Sequence, residues 1–252
     1  MAIRLVTFDA LHTIITPRRP IYVQYSEVFA PFLGVLDPNS IKQSFKAALK
    51  EVQLERPAYN QGADAWWGEV IRRTALGAGA DDRALDASLH KIVPKLLDRF
   101  SSKEGYAAFE DAIPTIRCLH DELGVAIAVV SNGDSRLRSV IQDLEFPPYL
   151  SPIILSEEEG VEKPSRQIFE RALAQVSHGG KPISLMDCLH VGDELVCDFR
   201  GATEAGMQGL LLRRTGPGGE QAHKDPDEVL DGVQIIEDLE AVVSFVKAKN
   251  LT

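Results

Sequence analysis

Short apolar runs, largely β-branched, recur along the chain at Ile3 to Phe8, Val125 to Val130, Pro152 to Leu155, Cys188 to Val191 and Gly209 to Leu212. Runs of this length with little polar alternation predict strands buried on both faces. Between them the period changes. Ala112 to Leu123, Ser135 to Leu144, Ser165 to Val176 and Asp198 to Met207 place apolar residues at helical spacing. Strands alternating with helices predict an α/β domain with a parallel sheet covered on both faces. Right-handed crossovers then gather the loops after the strands at one edge, where ligands bind.

The stretch from Pro17 to Asp111 breaks that rhythm. It carries helical patterns at Tyr22 to Leu33, Ile41 to Leu54, Ala63 to Leu76 and Leu85 to Phe100, and no strand pattern. Pro17 and Pro20 at one end, and Ser101 to Gly105 at the other, mark hinges. The expected organisation is therefore a core from residues 1–16 and 112–252, with an all-helical cap inserted at 17–111. Arg214 to Asp231, with Gly216, Pro217, Gly218, Gly219 and Pro226, reads as an exposed loop.

Chemistry enters at the strand ends. The first strand leads into Phe8-Asp9-Ala10-Leu11-His12-Thr13, the second into Ser131-Asn132-Gly133-Asp134, and a later one into Gly192-Asp193 with Asp198 following. Glu162-Lys163-Pro164 precedes a helix. A parallel sheet brings Asp9, Ser131, Lys163 and Asp193 to one edge despite their separation in sequence. Acids, a lysine and a hydroxyl converging there suit a metal and phosphoryl site. A carboxylate can attack phosphorus or carbon and split one hard displacement into two. Hard oxygens from Asp9 and Asp193 suit Mg²⁺, which offsets the charge of an anionic substrate. Lys163 neutralises the remainder, and Ser131 hydrogen-bonds a transferring oxygen.

Composition narrows the class. At 252 residues, 44% hydrophobic and 25% charged, the chain has the balance of a globular protein with a sizeable core. The formal net charge of −10 disfavours a nucleic acid or an anionic membrane as partner. It leaves room for a small anionic substrate once lysines or a metal reverse the local sign. The run Val125 to Val130 is far below the roughly 20 residues that span a bilayer. The first residues show no secretory signal, and Cys118, Cys188 and Cys197 form neither an even set nor a CxxC pair. A cytoplasmic protein with reduced thiols is the expectation.

The four strand-end segments resemble, in order and placement, the four motifs of the haloacid dehalogenase superfamily of hydrolases. Leu155-Ser156-Glu157-Glu158-Glu159-Gly160-Val161-Glu162-Lys163-Pro164 is especially similar to the subfamily with a helical cap inserted after the first motif. Trp66-Trp67 resembles a eukaryotic branch of it. The resemblance covers essentially the whole chain. It implies a Rossmann-like core with a helical cap, and a nucleophile at Asp9. It also implies a group-holding set of Ser131, Asn132 and Lys163, with Thr13 as a hydroxyl near the nucleophile loop. Mg²⁺ would be held by Asp9, the Leu11 backbone carbonyl and Asp193, with Asp198 as a further ligand or an acceptor behind them.

One departure stands out. Phosphatases of the superfamily carry a second aspartate two positions after the nucleophile, which protonates the leaving oxygen and then activates water. Here that position is Leu11. Loss of general acid/base assistance costs about 10² to 10⁴ in rate. Dehalogenases of the superfamily also lack that aspartate, since a halide leaves without a proton, yet they need no metal site of the kind Gly192-Asp193 suggests. Three readings follow: a Mg²⁺-dependent hydrolase of a small phosphorylated metabolite, a catalytically impaired binding or scaffold module with a protein partner, and a 2-haloacid dehalogenase. His12 is one residue out of phase to replace the missing acid, and Glu157 to Glu159 read as a solvated charge run.

Overall fold

The computed structural model describes residues 2–60, 62–176, 183–219, 224 and 227–251. His178, His223 and Pro226 lie outside them. The chain opens with β1 (Leu5–Phe8) and β2 (Ile15–Pro17), then runs through helices α1 (Ile21–Leu33), α2 (Pro38–Glu55), α3 (Ala63–Gly77) and α4 (Asp82–Arg99). It continues with β3 (Tyr106–Ala108), α5 (Ala112–Arg117), β4 (Ala126–Ser131), α6 (Arg136–Asp143), β5 (Ile153–Leu155), α7 (Ser156–Glu159) and α8 (Arg166–Gln175). It ends with β6 (Cys188–Gly192), α9 (Gly201–Ala205), β7 (Gln208–Leu212), β8 (Ile235–Ile236) and α10 (Glu240–Asn250). Two compact units result, one of residues 1–16, 108–132 and 145–252, the other of residues 17–107 and 133–144.

The first unit is an α/β layer structure around a six-stranded parallel sheet ordered β5-β4-β1-β6-β7-β8. β1 lies inside it, with Leu5 to Phe8 in register with Ala126 to Val129 on one side and Cys188 to Val191 on the other. All four β1 residues are buried, as a strand with both faces covered requires. Leu5, Ala128, Val130 and Ile154 pack against Ile168 and Phe169 of α8 and Ala202 and Ala205 of α9. Each large apolar side chain buried this way contributes about 1.5–3 kcal/mol of transfer free energy.

The second unit is a helical bundle. α2 and α4 start where Asp37 and Asp81 accept from the backbone amides of Ser40 and Ala84 at 2.8 and 2.9 Å, filling donors that a helix start leaves open. Tyr25, Phe29, Ile41, Ile71, Leu85, Ile92 and Leu96 form its main core, and Ala48, Val52, Trp66 and Val70 a second. Adjacent residues on α3 diverge, so only Trp66 is fully in that core. Trp67 instead donates Nε1–H to Asp134 at 2.8 Å. Asp134 accepts a fork from Arg136, both bonds 2.7 Å, and the guanidinium lies 4.9 Å from the Trp67 ring centroid.

Several elements differ from expectation. β3 falls inside a stretch read as wholly helical, and it forms a two-stranded sheet with β2. Tyr106-Ala107-Ala108 is half-buried and has no β-branched residue to mark it as a strand. α6, expected among the core helices, groups with the helical unit. The expected helix at 112–123 contains a π turn at Cys118–Glu122, and the one at 198–207 is entered through a π turn at Leu195–Arg200. Among the described residues no helix is long and apolar enough to cross a membrane.

Candidate active site at the carboxyl ends of the strands

Asp9 leaves β1 with its amide donating to the Val191 carbonyl at 2.8 Å. The loop beyond it is tight. The Ala10 carbonyl collects the amides of Thr13, Ile14 and Ile15 at 3.3, 2.9 and 3.0 Å. None of these amides takes the Leu11 carbonyl, the backbone atom expected to face a metal. Ser131 ends β4 and Asp193 follows β6, and β4 and β6 flank β1. The sheet order therefore sets Asp9, Ser131 and Asp193 on neighbouring strands.

Lys163 completes the group from the segment between α7 and α8. Its ammonium donates to Asp9 Oδ1 and to Asp198 Oδ1, both at 2.6 Å, with only 3% of the residue exposed. The Asn132 side chain braces this lysine. Its Nδ2 donates to the Lys163 carbonyl at 2.9 Å and its Oδ1 accepts the Lys163 amide at 2.7 Å. The brace uses one of the two Nδ2 hydrogens and leaves the other to donate elsewhere. The Ser131 hydroxyl has no protein partner among the described residues.

Asp198 is held by protein donors on both oxygens. Oδ1 also meets His190 Nε2 at 3.1 Å, and Oδ2 accepts the Glu194 amide at 2.8 Å. These contacts favour the acceptor role over direct ligation. A carboxylate only accepts, so His190 donates through Nε2–H, and its Nδ1 accepts from the Thr7 hydroxyl at 2.8 Å. Gly192 makes room for the arrangement: a Cβ there would lie 2.1 Å from the Asp198 carboxyl carbon. The glycine of Gly192-Asp193 is thus needed for clearance.

Thr13 Oγ1 donates to Asp193 Oδ1 at 3.5 Å, a long bond. Asp193 Oδ2 is buried with no partner among the described residues. Acid oxygens of Asp9, Asp193 and Asp198 lie within 4.8 Å of one another. Three carboxylates and one ammonium leave two negative charges, which one divalent cation balances. An orphaned buried carboxylate oxygen and an all-oxygen donor set fit Mg²⁺.

The titrations follow from these contacts. Burial, then the Asp198 and Asp9 charges, push Asp193 well above the usual carboxylate range. Asp9 is raised by burial, partly opposed by Lys163. Burial would raise Asp198 too, but Lys163 and His190 outweigh it and hold it low. Lys163 is raised because Asp198 and Asp9 outweigh its burial. Burial and the Asp198 charge also raise Glu194.

Contacts join Asp9, Thr13, Lys163, Asp193 and Asp198 in one cluster, and Ser131 ends a neighbouring strand; sequence reasoning missed His190 and Thr7. Both sit inside strands, where no local pattern separates a polar buttress from a satisfied core residue. His12 has φ 61°, its Nδ1 is buried without a partner, and burial lowers its pKa to about 4. It makes no hydrogen bond to Asp9 or Asp193. Of the run Glu157 to Glu159, Glu158 is exposed, while Glu159 is mostly covered and accepts from Arg171 at 2.8 Å. The three cysteines are free thiols.

Known proteins are similar to the chain in sequence and in fold. The chain is 31% identical over 237 residues to haloacid dehalogenase-like hydrolase domain-containing protein 3 of Danio rerio, covering 92% of this chain and 93% of that one. The fold is that of a HAD phosphatase from Thermococcus onnurineus, at TM-score 0.64 and 20% identity over 99% of this chain and 100% of that one. It is equally that of 2-haloacid dehalogenase from Pseudomonas syringae pv. Tomato, at TM-score 0.62 and 20% identity over 98% of both. The family model for haloacid dehalogenase-like hydrolases matches residues 3–206, most of the chain and all of the strand-end residues described above. The chain belongs to the haloacid dehalogenase-like hydrolase family.

Proposed function

We propose that the chain is a Mg²⁺-dependent hydrolase of a small phosphorylated metabolite, working through an aspartyl intermediate at Asp9. The observation that carries this reading is the orphaned Asp193 oxygen beside Asp9 and Asp198, a surplus of negative charge that a phosphoester could not approach without a cation. Mg²⁺, when bound, would offset that negative charge and polarise the phosphoryl oxygens.

The side chains do the rest. Lys163 fixes Asp9 Oδ1, and among the described residues no donor takes the other Asp9 oxygen, which attacks phosphorus as the ester bond breaks. Lys163 and the Ser131 hydroxyl hold the transferred group. Water then attacks the aspartyl phosphate, releasing phosphate and restoring Asp9. Leu11 can neither protonate the departing oxygen nor activate that water. The leaving group must therefore depart without a proton, or the substrate must bring its own acid. Acyl and aryl phosphates suit such a site better than alkyl esters.

The test is phosphate release from a panel of acyl, aryl and alkyl phosphates with Mg²⁺, comparing wild type, Asp9→Asn and Leu11→Asp. Activity in wild type that vanishes in Asp9→Asn supports the hydrolase. An inert wild type whose Leu11→Asp variant turns over would instead make this a binding module with a protein partner. Metal-independent halide release from a 2-haloacid would overturn both in favour of dehalogenation, a reading with no use for the unpaired Asp193 oxygen.

A further inference from the structure

β7 ends in two arginines that no catalytic reading absorbs. Arg213 Nη1 donates to the backbone carbonyl of Asp193, and its Nη2 donates to Glu228 at 2.6 Å. Arg214 turns to the other side. Its Nη2 donates to the Thr13 carbonyl at 3.0 Å, and its two Nη groups fork onto Asp111 at 2.9 and 2.8 Å. The Arg214 guanidinium carbon lies 3.8 Å from the Phe109 ring centroid. Asp111 is fixed in turn, because it accepts the Leu239 amide at 2.9 Å.

Consecutive residues leaving a strand point to opposite sides, so neighbouring arginines can hold two different loops. One holds the loop that carries Asp193, the other the loop that carries Asp9 and Thr13. These are the loops whose side chains meet in the long Thr13–Asp193 contact. A lysine could not replace either arginine, since each guanidinium serves a carboxylate and a carbonyl at once through its fixed fork.

We propose that Arg213 and Arg214 are positioning residues that clamp the nucleophile loop and the Asp193 loop to the end of β7, and so set the spacing of the acid cluster. The clamp itself is a property of the fold. Its consequence for metal binding rests on the hydrolase reading above.

Amide hydrogen exchange tests the clamp without metal or turnover. Arg214→Met should speed exchange in the Asp9 loop, and Arg213→Met in the Asp193 loop, each by about tenfold, as expected for a lost charged hydrogen bond. Asp111→Asn and Glu228→Gln serve as controls, because they remove the ion pairs but leave each arginine able to reach its carbonyl. Calorimetry should show Mg²⁺ affinity about 10- to 100-fold weaker in the Met variants, and near wild type in the controls. If the Met variants do not fold, Arg213→Lys and Arg214→Lys, which keep the charge and lose the fork, carry the same comparison. The proposal is overturned if both loops exchange as in wild type, or if the controls loosen them as much. A wild type that binds no Mg²⁺ would sink the hydrolase reading, while the exchange data would still decide the clamp.

Discussion

Gly192 and Asp198 share a space that holds only one of their side chains. Gly192→Ala would press a methyl group into the Asp198 carboxylate, which cannot retreat without giving up Lys163, His190 or the Glu194 amide. A cost of about 1–3 kcal/mol is expected, read as a lowered midpoint in thermal denaturation. His12 makes a prediction with pH. Its folded pKa of about 4 lies below the ordinary histidine value, so the unfolded chain takes up a proton that the folded one refuses. Stability conferred by neutral His12 is complete above about pH 6.5 and is lost progressively as pH falls toward 4. His12→Asn keeps a residue that tolerates positive φ and cannot titrate. Denaturant midpoints measured at pH 7 and pH 5 should fall less in that variant than in wild type. Such effects were only half legible in the sequence. Asp9 and Asp193 were visible because they follow strands, and Lys163 because Glu162-Lys163-Pro164 precedes a helix, whereas the brace of Asn132 on Lys163 and the chain from Thr7 through His190 to Asp198 exist only once distant strands pair.

At the scale of elements, the β1, β4 and β6 strands were readable because burial on both faces makes them continuous apolar runs. β2, β3 and β8 were not. They are two or three residues long, and their pairing comes from position and not from pattern. α10 escaped for a related reason: Val242, Val243, Phe245 and Val246 are poor helix formers, and packing on Val242 and Val246 overrides that preference. Within the helical unit, Asp134 links α6 to Trp67 of α3. Its burial alone would raise it, but the Arg136 fork prevails and holds its carboxyl below the ordinary range. The stability it confers is therefore present above its unfolded value near 3.9 and is lost as pH falls through its lowered folded value. Trp67 reports the event directly. Its fluorescence should change in an acid titration as the fork opens, and Asp134→Asn should show the altered emission already at neutral pH.

For the whole molecule, the formal charge of −10 and the unbalanced acid cluster make the free protein pay for electrostatics that a cation would relieve. Mg²⁺ that binds only the folded chain stabilises it by mass action, by about 2.7 kcal/mol at one hundred times the dissociation constant. Thermal midpoints should thus rise with Mg²⁺ concentration in wild type. Asp193→Asn should abolish that dependence, and its metal-free midpoint should lie above that of wild type because a buried, unpaired carboxylate is gone. A midpoint indifferent to Mg²⁺ would count against a metal site.

The enclosure of Lys163 turns the site into its own clock. An amine-modifying reagent cannot reach a protonated ammonium sealed between Asp9 and Asp198, so labelling at that lysine waits for the segment between α7 and α8 to swing away. The labelling rate at Lys163, set against that of solvent-facing lysines, therefore counts how often the folded protein dismantles its own centre.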